Sequence, residues 1–303
     1  MSEPKYPSIS DINIEVHGVV KLLTNLNINK AGGPDNIANK VLKACTEELA
    51  PVTSHIFQIS LTTGELHVPS DWRNANITPI FRKGDNHTAS NYRPVSLTCV
   101  CCKLLEHIIC RHILKHLENI RILTSLQHGF RSGHSCESQL IITMHDIMKS
   151  FDAKKQTDLV ILDFSKAFDT VPHKKLLHKL NNYGIDGKIN KWIEKFLTQR
   201  QQRVIVEGES SSSCSVESGV PQGTVLGPLL FLCHINDLPL CVRSQVRLFA
   251  DDCLLYRSVK TQQDQQQLQT DLHSLERWAT KWGMRFNATK CYIMSIVSEV
   301  EIH

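Results

Sequence analysis

Apolar residues recur every three to four positions over 11–28. Ile12, Val16, Val19, Val20, Leu23 and Leu26 share one helical face behind a cap at Ser10 or Asp11. The same period over 37–59 carries Val41, Leu42, Cys45 and Leu49, with an interruption expected at Pro51. Between the two, Ala31 to Asp35 (AGGPD) reads as a turn. Residues 75–82 read as a strand, and 97–117 as a long helix with Leu104, Leu105, Ile108, Ile109 and Ile113 on its apolar side.

Farther along, the pattern predicts helices over about 136–150, 173–182, 187–197 and 262–282, and a short buried one over 226–232. Leu159 to Leu162 is a continuous apolar run that ends at Asp163, as in a central strand. Residues 203–206 and 213–216 form a hairpin pattern across a polar loop. A second hairpin pattern joins Val246–Phe249 to a strand through Leu254 and Tyr256 by a tight turn at 250–252, and a last strand is expected over 292–297. No internal repeat or long linker interrupts this order.

Composition narrows the class without naming a function. A chain of 303 residues, 41% hydrophobic and 21% charged, can bury a full core and is neither disordered nor fibrous in character. It has no run of 18 apolar residues, so no membrane span is expected. The net charge of +4 selects no partner, but its distribution is uneven. Nine Lys/Arg stand against three Asp/Glu over 166–203, and nine against four over 71–131. Such clusters are the footprint of phosphate tracking, and charge alone fits solvated helix faces equally well. Eleven cysteines behind a polar N-terminus point to reduced thiols and an intracellular setting, nucleus or cytoplasm, not secretion. Cys99, Cys101 and Cys102 contain one C-x-x-C without a second pair, so burial is the expected role, ahead of zinc.

Two features carry chemistry. A hydrophobic strand delivers Asp163 to its end, and a short hydrophobic hairpin sets Asp251 and Asp252 side by side at its tip, between Phe249 and Leu254. Paired carboxylates in apolar surroundings need a positive counterpart, and Mg2+ supplies it where phosphates are also bound. Asp-Asp at a turn also occurs simply for backbone hydrogen bonds.

The surrounding words decide between these. Phe249-Ala250-Asp251-Asp252 is similar to the F/Y-A-D-D box of reverse transcriptases, and Leu162 to Asp169 (LDFSKAFD) resembles their first metal-binding motif in its non-LTR form. Ser218 to Pro228 (SGVPQGTVLGP) is close to the nucleotide-binding motif of LINE-type enzymes, with Thr224 where Ser is commoner. Asn91 to Leu97 (NYRPVSL), Gln127 to Arg131 (QHGFR), Trp278 through Asn287 to Lys290, and Gly33-Pro34-Asp35 agree in the same order. Over about 31–296 the chain resembles the reverse transcriptase domain of a LINE-type, jockey-like retrotransposon.

That resemblance implies an α+β fold, a right-hand polymerase with fingers and an antiparallel palm sheet backed by helices. Residues 1–30 would be an N-terminal extension with an amphipathic helix, 31–303 the reverse transcriptase domain, and about 157–300 the catalytic palm. The implied activity is RNA-directed DNA polymerisation from dNTPs on an RNA template and DNA primer. Asp163 and Asp251 would hold two Mg2+ ions (Mn2+ able to substitute), with the main-chain carbonyl of Phe164 as a further ligand. Asp252 would support them, or else only orient the turn. Phe168 matches an aromatic gate beneath the incoming sugar, with a core Phe as the alternative. Gln222 and Gly223 would meet the nucleotide, Arg93 and Lys83 the triphosphate, and Lys290 would act as general acid toward pyrophosphate. Lys83 and Lys290 are also readable as solvated surface charges.

The family continues into a primer-grip hairpin and a helical thumb. No Leu-Gly turn of the primer-grip kind precedes His303, so the expectation is fingers and palm with the thumb missing, and weak activity. A noncatalytic remnant or co-opted RNA-binding fragment is the alternative, as is a group II intron maturase-like reverse transcriptase. Asn236-Asp237-Leu238-Pro239 and the Pro221 to Pro228 string favour the LINE type over the latter.

Overall fold

The computed structural model describes residues 6–63 and 70–297. The residues expected to close the polymerase domain, 298–303, and the first five of the N-terminal extension lie outside the described residues. In chain order the helices are α1 (Val16–Thr24), α2 (Asn39–Ala44), α3 (Thr46–Thr63), α4 (Val100–Asn119), α5 (Cys136–Asp152), α6 (Ala167–Thr170), α7 (His173–Asn182), α8 (Gly187–Leu197), α9 (Leu226–Ile235) and α10 (Gln262–Trp282). The strands are β1 (Asn74–Phe81), β2 (Tyr92–Leu97), β3 (Gln156–Asp163), β4 (Arg200–Val206), β5 (Glu209–Ser210), β6 (Cys214–Val216), β7 (Gln245–Phe249), β8 (Asp252–Val259) and β9 (Tyr292–Ile296). This is the expected α+β class.

The chain divides into two compact units. The first comprises 1–122 and 173–230. Its sheet has the order β2-β1-β4-β5, with β6 also on β4. β1 pairs antiparallel with β2 and parallel with β4, Asn76 facing Arg203. The core of this unit is helical: Leu23, Phe57, Leu105, Ile109, Leu176 and Trp192 are buried, and the Trp192 indole donates to Ser60 Oγ at 3.0 Å. The helix break expected at Pro51 falls instead at Cys45. Proline's fixed φ suits a helix, and the lost N–H bond is offset here by burial of Ala50, Phe57 and Leu61 along α3.

The second unit comprises 123–172 and 231–303. Its four strands run β7-β8-β3-β9, every neighbour antiparallel. β3 lies inside this sheet because its run Leu159–Leu162 finds apolar partners on both sides: Leu159 faces Tyr256 on β8 and Met294 on β9. Helices α5 and α10 pack on the sheet, and both begin with capping boxes. Ser138 N–H donates to Ser135 Oγ, and Asp264 N–H to Thr261 Oγ1. Gly283, at φ 77°, ends α10 in the left-handed conformation that glycine enters without a Cβ clash. Among the described residues no helix is long and apolar enough to cross a membrane, and none of the eleven cysteines is in a disulfide.

Candidate active site

The carboxylates are assembled by strand register. Asp163, the last residue of β3, faces Asp252, the first residue of β8. Asp251 precedes it in the two-residue turn that joins β8 to β7, where Phe249 faces Asp252. Like charges directly opposite in a ladder repel. The effect reaches Asp252, whose carboxyl is held above the ordinary carboxylate range by partial burial first and then by Asp251 and Asp163. Lys290 opposes that shift. Its ammonium lies 2.9 Å from Asp163 Oδ2, with the lysine 57% and the aspartate 20% exposed.

Backbone bonds explain why Lys290 arrives there. Asn287 N–H donates to the Asp163 carbonyl at 2.8 Å and Ser165 N–H to the Arg285 carbonyl at 2.8 Å. Residues 285–287 therefore run beside the end of β3, with the Phe286 ring stacked on Phe164 at 4.5 Å between centroids. A single helical turn, Ala288–Lys290, then aims the lysine at Asp163. Phe164 is buried. Phe168, on α6, is half-buried, stacked on Phe231 (4.6 Å, 17°) and edge-on to Phe130 (6.2 Å, 84°).

A second group of expected residues sits in the first unit. Gly223, at φ 92°, lets the loop after Gly219 pass tight against β2, where a Cβ would stand 2.7 Å from the Ser96 carbonyl oxygen. Ser96 N–H donates to the Gln222 carbonyl at 3.1 Å, and Arg93 Nε donates to Gln222 Oε1 at 3.3 Å. His173 Nε2 lies 2.8 Å from the Gly219 carbonyl oxygen, its imidazole held neutral more readily by burial. Arg93, Gln222 and Gly223 are thus brought together. Lys83 is not: it is exposed in the connection between β1 and β2 and bonds to none of the three.

Residues 81–302 match the family described as reverse transcriptase (RNA-dependent DNA polymerase). The chain is 30% identical, over 95% of its length, to the probable RNA-directed DNA polymerase from transposon BS of Drosophila melanogaster. It is 28% identical, over 92% of its length, to the RNA-directed DNA polymerase from mobile element jockey of the same fly. A third relative is the Pol polyprotein of retrotransposable element R2 of Popillia japonica, 28% identical over 80% of the chain. These alignments cover 33%, 31% and 34% of the relatives, so the chain spans about a third of their length.

The chain belongs to the reverse transcriptase family.

A reverse transcriptase domain implies a divalent metal, and the donor set fits one. Hard carboxylate oxygens are gathered in excess of positive charge, which is the state that raises Asp252. Among the described residues no three Asp, Glu, His or Cys side chains converge closely enough to hold an ion by themselves. Oxygen from the main chain or from bound phosphates would have to complete its shell.

One residue of this reverse transcriptase domain has a place at the site that no sequence motif assigned. Ala250, at φ 53°, strains the turn that carries Asp251. The buried Gln127 holds it there: Oε1 accepts from Ala250 N–H at 2.9 Å and from Gly129 N–H at 2.7 Å, and Nε2 donates to the Ala250 carbonyl at 3.1 Å. Gly129 must be glycine, because a Cβ would lie 2.1 Å from Ala250 N. The block Gln127 to Arg131 thereby includes the brace of the turn that carries Asp251. The string Asn236-Asp237 is structural as well, with Asn236 Oδ1 accepting from Thr124 N–H and Asp237 Oδ1 from the Trp278 indole.

Proposed function

We propose that this domain is an RNA-directed DNA polymerase that adds dNTPs to the 3′ end of a DNA primer on an RNA template. The observation that carries the proposal is the register pair Asp163–Asp252 with Asp251 at the adjoining turn, in a chain of this family. In this reading the unit with the antiparallel sheet is the palm and the other unit supplies the fingers. The palm would extend over about 157–300.

Asp163 and Asp251, with the Phe164 carbonyl, would hold two Mg2+ ions, replaceable by Mn2+, and Asp252 would support them. Bound there, the ions lower the pKa of the primer hydroxyl and neutralise the triphosphate and departing pyrophosphate. The protein's own groups do the remainder. Gln222 and the bare backbone at Gly223 receive the nucleotide closely, and the Arg93 guanidinium pairs with phosphate oxygens. Lys83, exposed between β1 and β2, would do the same. Lys290 delivers a proton to the leaving pyrophosphate; its contact with Asp163 keeps the ammonium beside the reacting end of β3. The Phe168 ring, fixed by Phe231, forms a wall against a 2′-hydroxyl.

The test is primer extension on an RNA template by the purified protein, with filter binding to the same template-primer in parallel. Metal-dependent addition of dNTPs is expected. RNA binding without any extension would overturn the polymerase reading in favour of a noncatalytic RNA-binding fragment.

A further inference from the structure

A carboxylate stands fully buried in the first unit, outside every motif above. Glu106 lies in the middle of α4 with no exposed surface. Its Oε2 accepts two backbone hydrogen bonds, from Val225 N–H at 2.7 Å and Leu226 N–H at 3.0 Å. These are the groups on which α9 begins.

The first N–H groups of a helix have no partner within it, and they carry the positive end of its dipole. At α9 every one is accounted for. Glu106 takes Val225 and Leu226, and Thr224 Oγ1 accepts from Gly227 N–H at 3.1 Å. The next residue, Pro228, has no N–H to satisfy. Thr224 Oγ1 also donates to the Pro221 carbonyl at 2.8 Å, closing the loop on itself. The segment between Gly219 and Leu226 is therefore tied at one end by His173, in its middle by Ser96, and at its far end by Glu106. Gln222 and Gly223 lie between those ties.

We propose that Glu106 is a positioning residue for the nucleotide-binding loop, setting Gln222 and Gly223 through the N–H groups of Val225 and Leu226. A buried unpaired charge is costly, so an acid retained there needs compensation. Burial drives its pKa above the ordinary range, while the Leu226 N–H, the buried Arg200 guanidinium, the Val225 N–H and Lys103 all favour the charged form. Two of the groups that favour the charged form, the Val225 and Leu226 N–H, are also the ones that open α9.

The inference rests on the polymerase reading for its consequence and on the loop alone for its geometry, so two readouts keep them apart. The variants are Glu106→Gln, which keeps an acceptor as a neutral amide, and Glu106→Met, which removes the acceptor and leaves an apolar side chain of similar length. Leu105→Ala, on the same helix and likewise buried, supplies a control destabilised by an ordinary cavity. By hydrogen exchange, residues 219–226 should exchange at least about tenfold faster in Glu106→Met and by a smaller factor in Glu106→Gln, with residues 245–259 unchanged. In steady-state extension the KM for dNTP should rise roughly tenfold in Glu106→Met, with kcat within about threefold of wild type. Leu105→Ala should change neither. Unaltered exchange at 219–226 in both Glu106 variants overturns the proposal, as does an equal rise in dNTP KM for Leu105→Ala. A wild-type chain that fails to extend primers would count against the polymerase reading, and exchange would still judge Glu106.

Discussion

Lys290 sets its ammonium 2.9 Å from Asp163 Oδ2, so the acid that ends β3 already has a cation beside it. The pair is too exposed to matter much for stability, since such contacts contribute about 0–1 kcal/mol. Its value is electrostatic and local: three carboxylates share a field that Lys290 alone relieves among the groups acting on Asp252. Asp163→Asn and Asp251→Asn should each abolish extension while leaving a cooperative melt, with Tm unchanged or slightly raised for Asp251→Asn because a like-charged neighbour is removed. Lys290→Gln should lower kcat and shift Tm little. Near wild-type extension by Asp251→Asn would show the assignment of the acids to be wrong.

The brace of the turn that carries Asp251 yields a prediction for the buried Gln127. Gln127→Ala leaves the Ala250 N–H and carbonyl and the Gly129 N–H without their side-chain partner. Loss of buried partners costs about 1–3 kcal/mol. Displacing Asp251 by even an ångström should cost more in rate, up to roughly a hundredfold. Gly129→Ala should do the same by collision with Ala250 N. Full kcat in either variant, measured below its Tm, would show that the turn keeps its shape unaided.

Much of this arrangement is legible in the sequence, for identifiable reasons. The end of β3 is marked by an apolar run stopping at Asp163, and the bounds of α10 agree with the expected 262–282 because its cap, its periodicity and Gly283 all lie within the local sequence. The parallel pairing of β1 with β4 is not legible. Asn74–Asn76 and Gln201–Arg203 carry little apolar signal, and the partners lie over 120 residues apart. Strand β2 is hidden for a similar reason: it contains Pro94, and all six of its residues fall within the NYRPVSL block, which carries no strand-like alternation. Gln127 was visible as a letter in a block, but its hydrogen bonds join it to a turn 123 residues away, which no local pattern encodes.

The cap of α10 makes stability depend on pH in a defined window. Asp264 accepts from Lys260 N–H, Thr261 N–H and Thr261 Oγ1, with Arg257 nearby, and these bonds lower its pKa to about 2. The folded pKa lies below the unfolded value of about 3.9. Its contribution is therefore complete above about pH 4 and lost as pH falls through about 2. The Tm gap between wild type and Asp264→Asn should be constant from pH 7 to 5 and close at the acid end. Thr261→Ala removes the reciprocal half of the box and should cost about 1 kcal/mol. A gap for Asp264→Asn that widens on acidification would contradict the cap.

Template affinity should report on the basic clusters. If they neutralise phosphates of single-stranded RNA, log affinity falls with log salt by about 0.7 per phosphate neutralised. Titration of binding between about 50 and 200 mM salt gives the number of contacts directly. A slope near zero at measurable affinity would place the lysines and arginines of 71–131 and 166–203 on solvated faces.

Phe168 offers the sharpest test because the expected change is a gain. Its ring is stacked at 17° on Phe231 and met edge-on by Phe130, so two aromatic neighbours fix it while part of its surface remains exposed. Both readings of the residue agree that Phe168→Val costs stability, roughly 2 kcal/mol, through the lost stack and partial cavity. They part on chemistry. A wall that excludes a 2′-hydroxyl by shape loses that exclusion when it is cut back, whereas a site that selected by hydrogen bonds would keep it. Phe168→Val should therefore incorporate ribonucleotides far better than wild type, with a modest fall in dNTP use. Single-nucleotide incorporation with each dNTP and its matching rNTP, at a temperature where both proteins are folded, measures the ratio. An unchanged ratio in a folded and active variant would return Phe168 to the role its contacts with Phe130 and Phe231 already give it, a packed aromatic with no part in sugar selection.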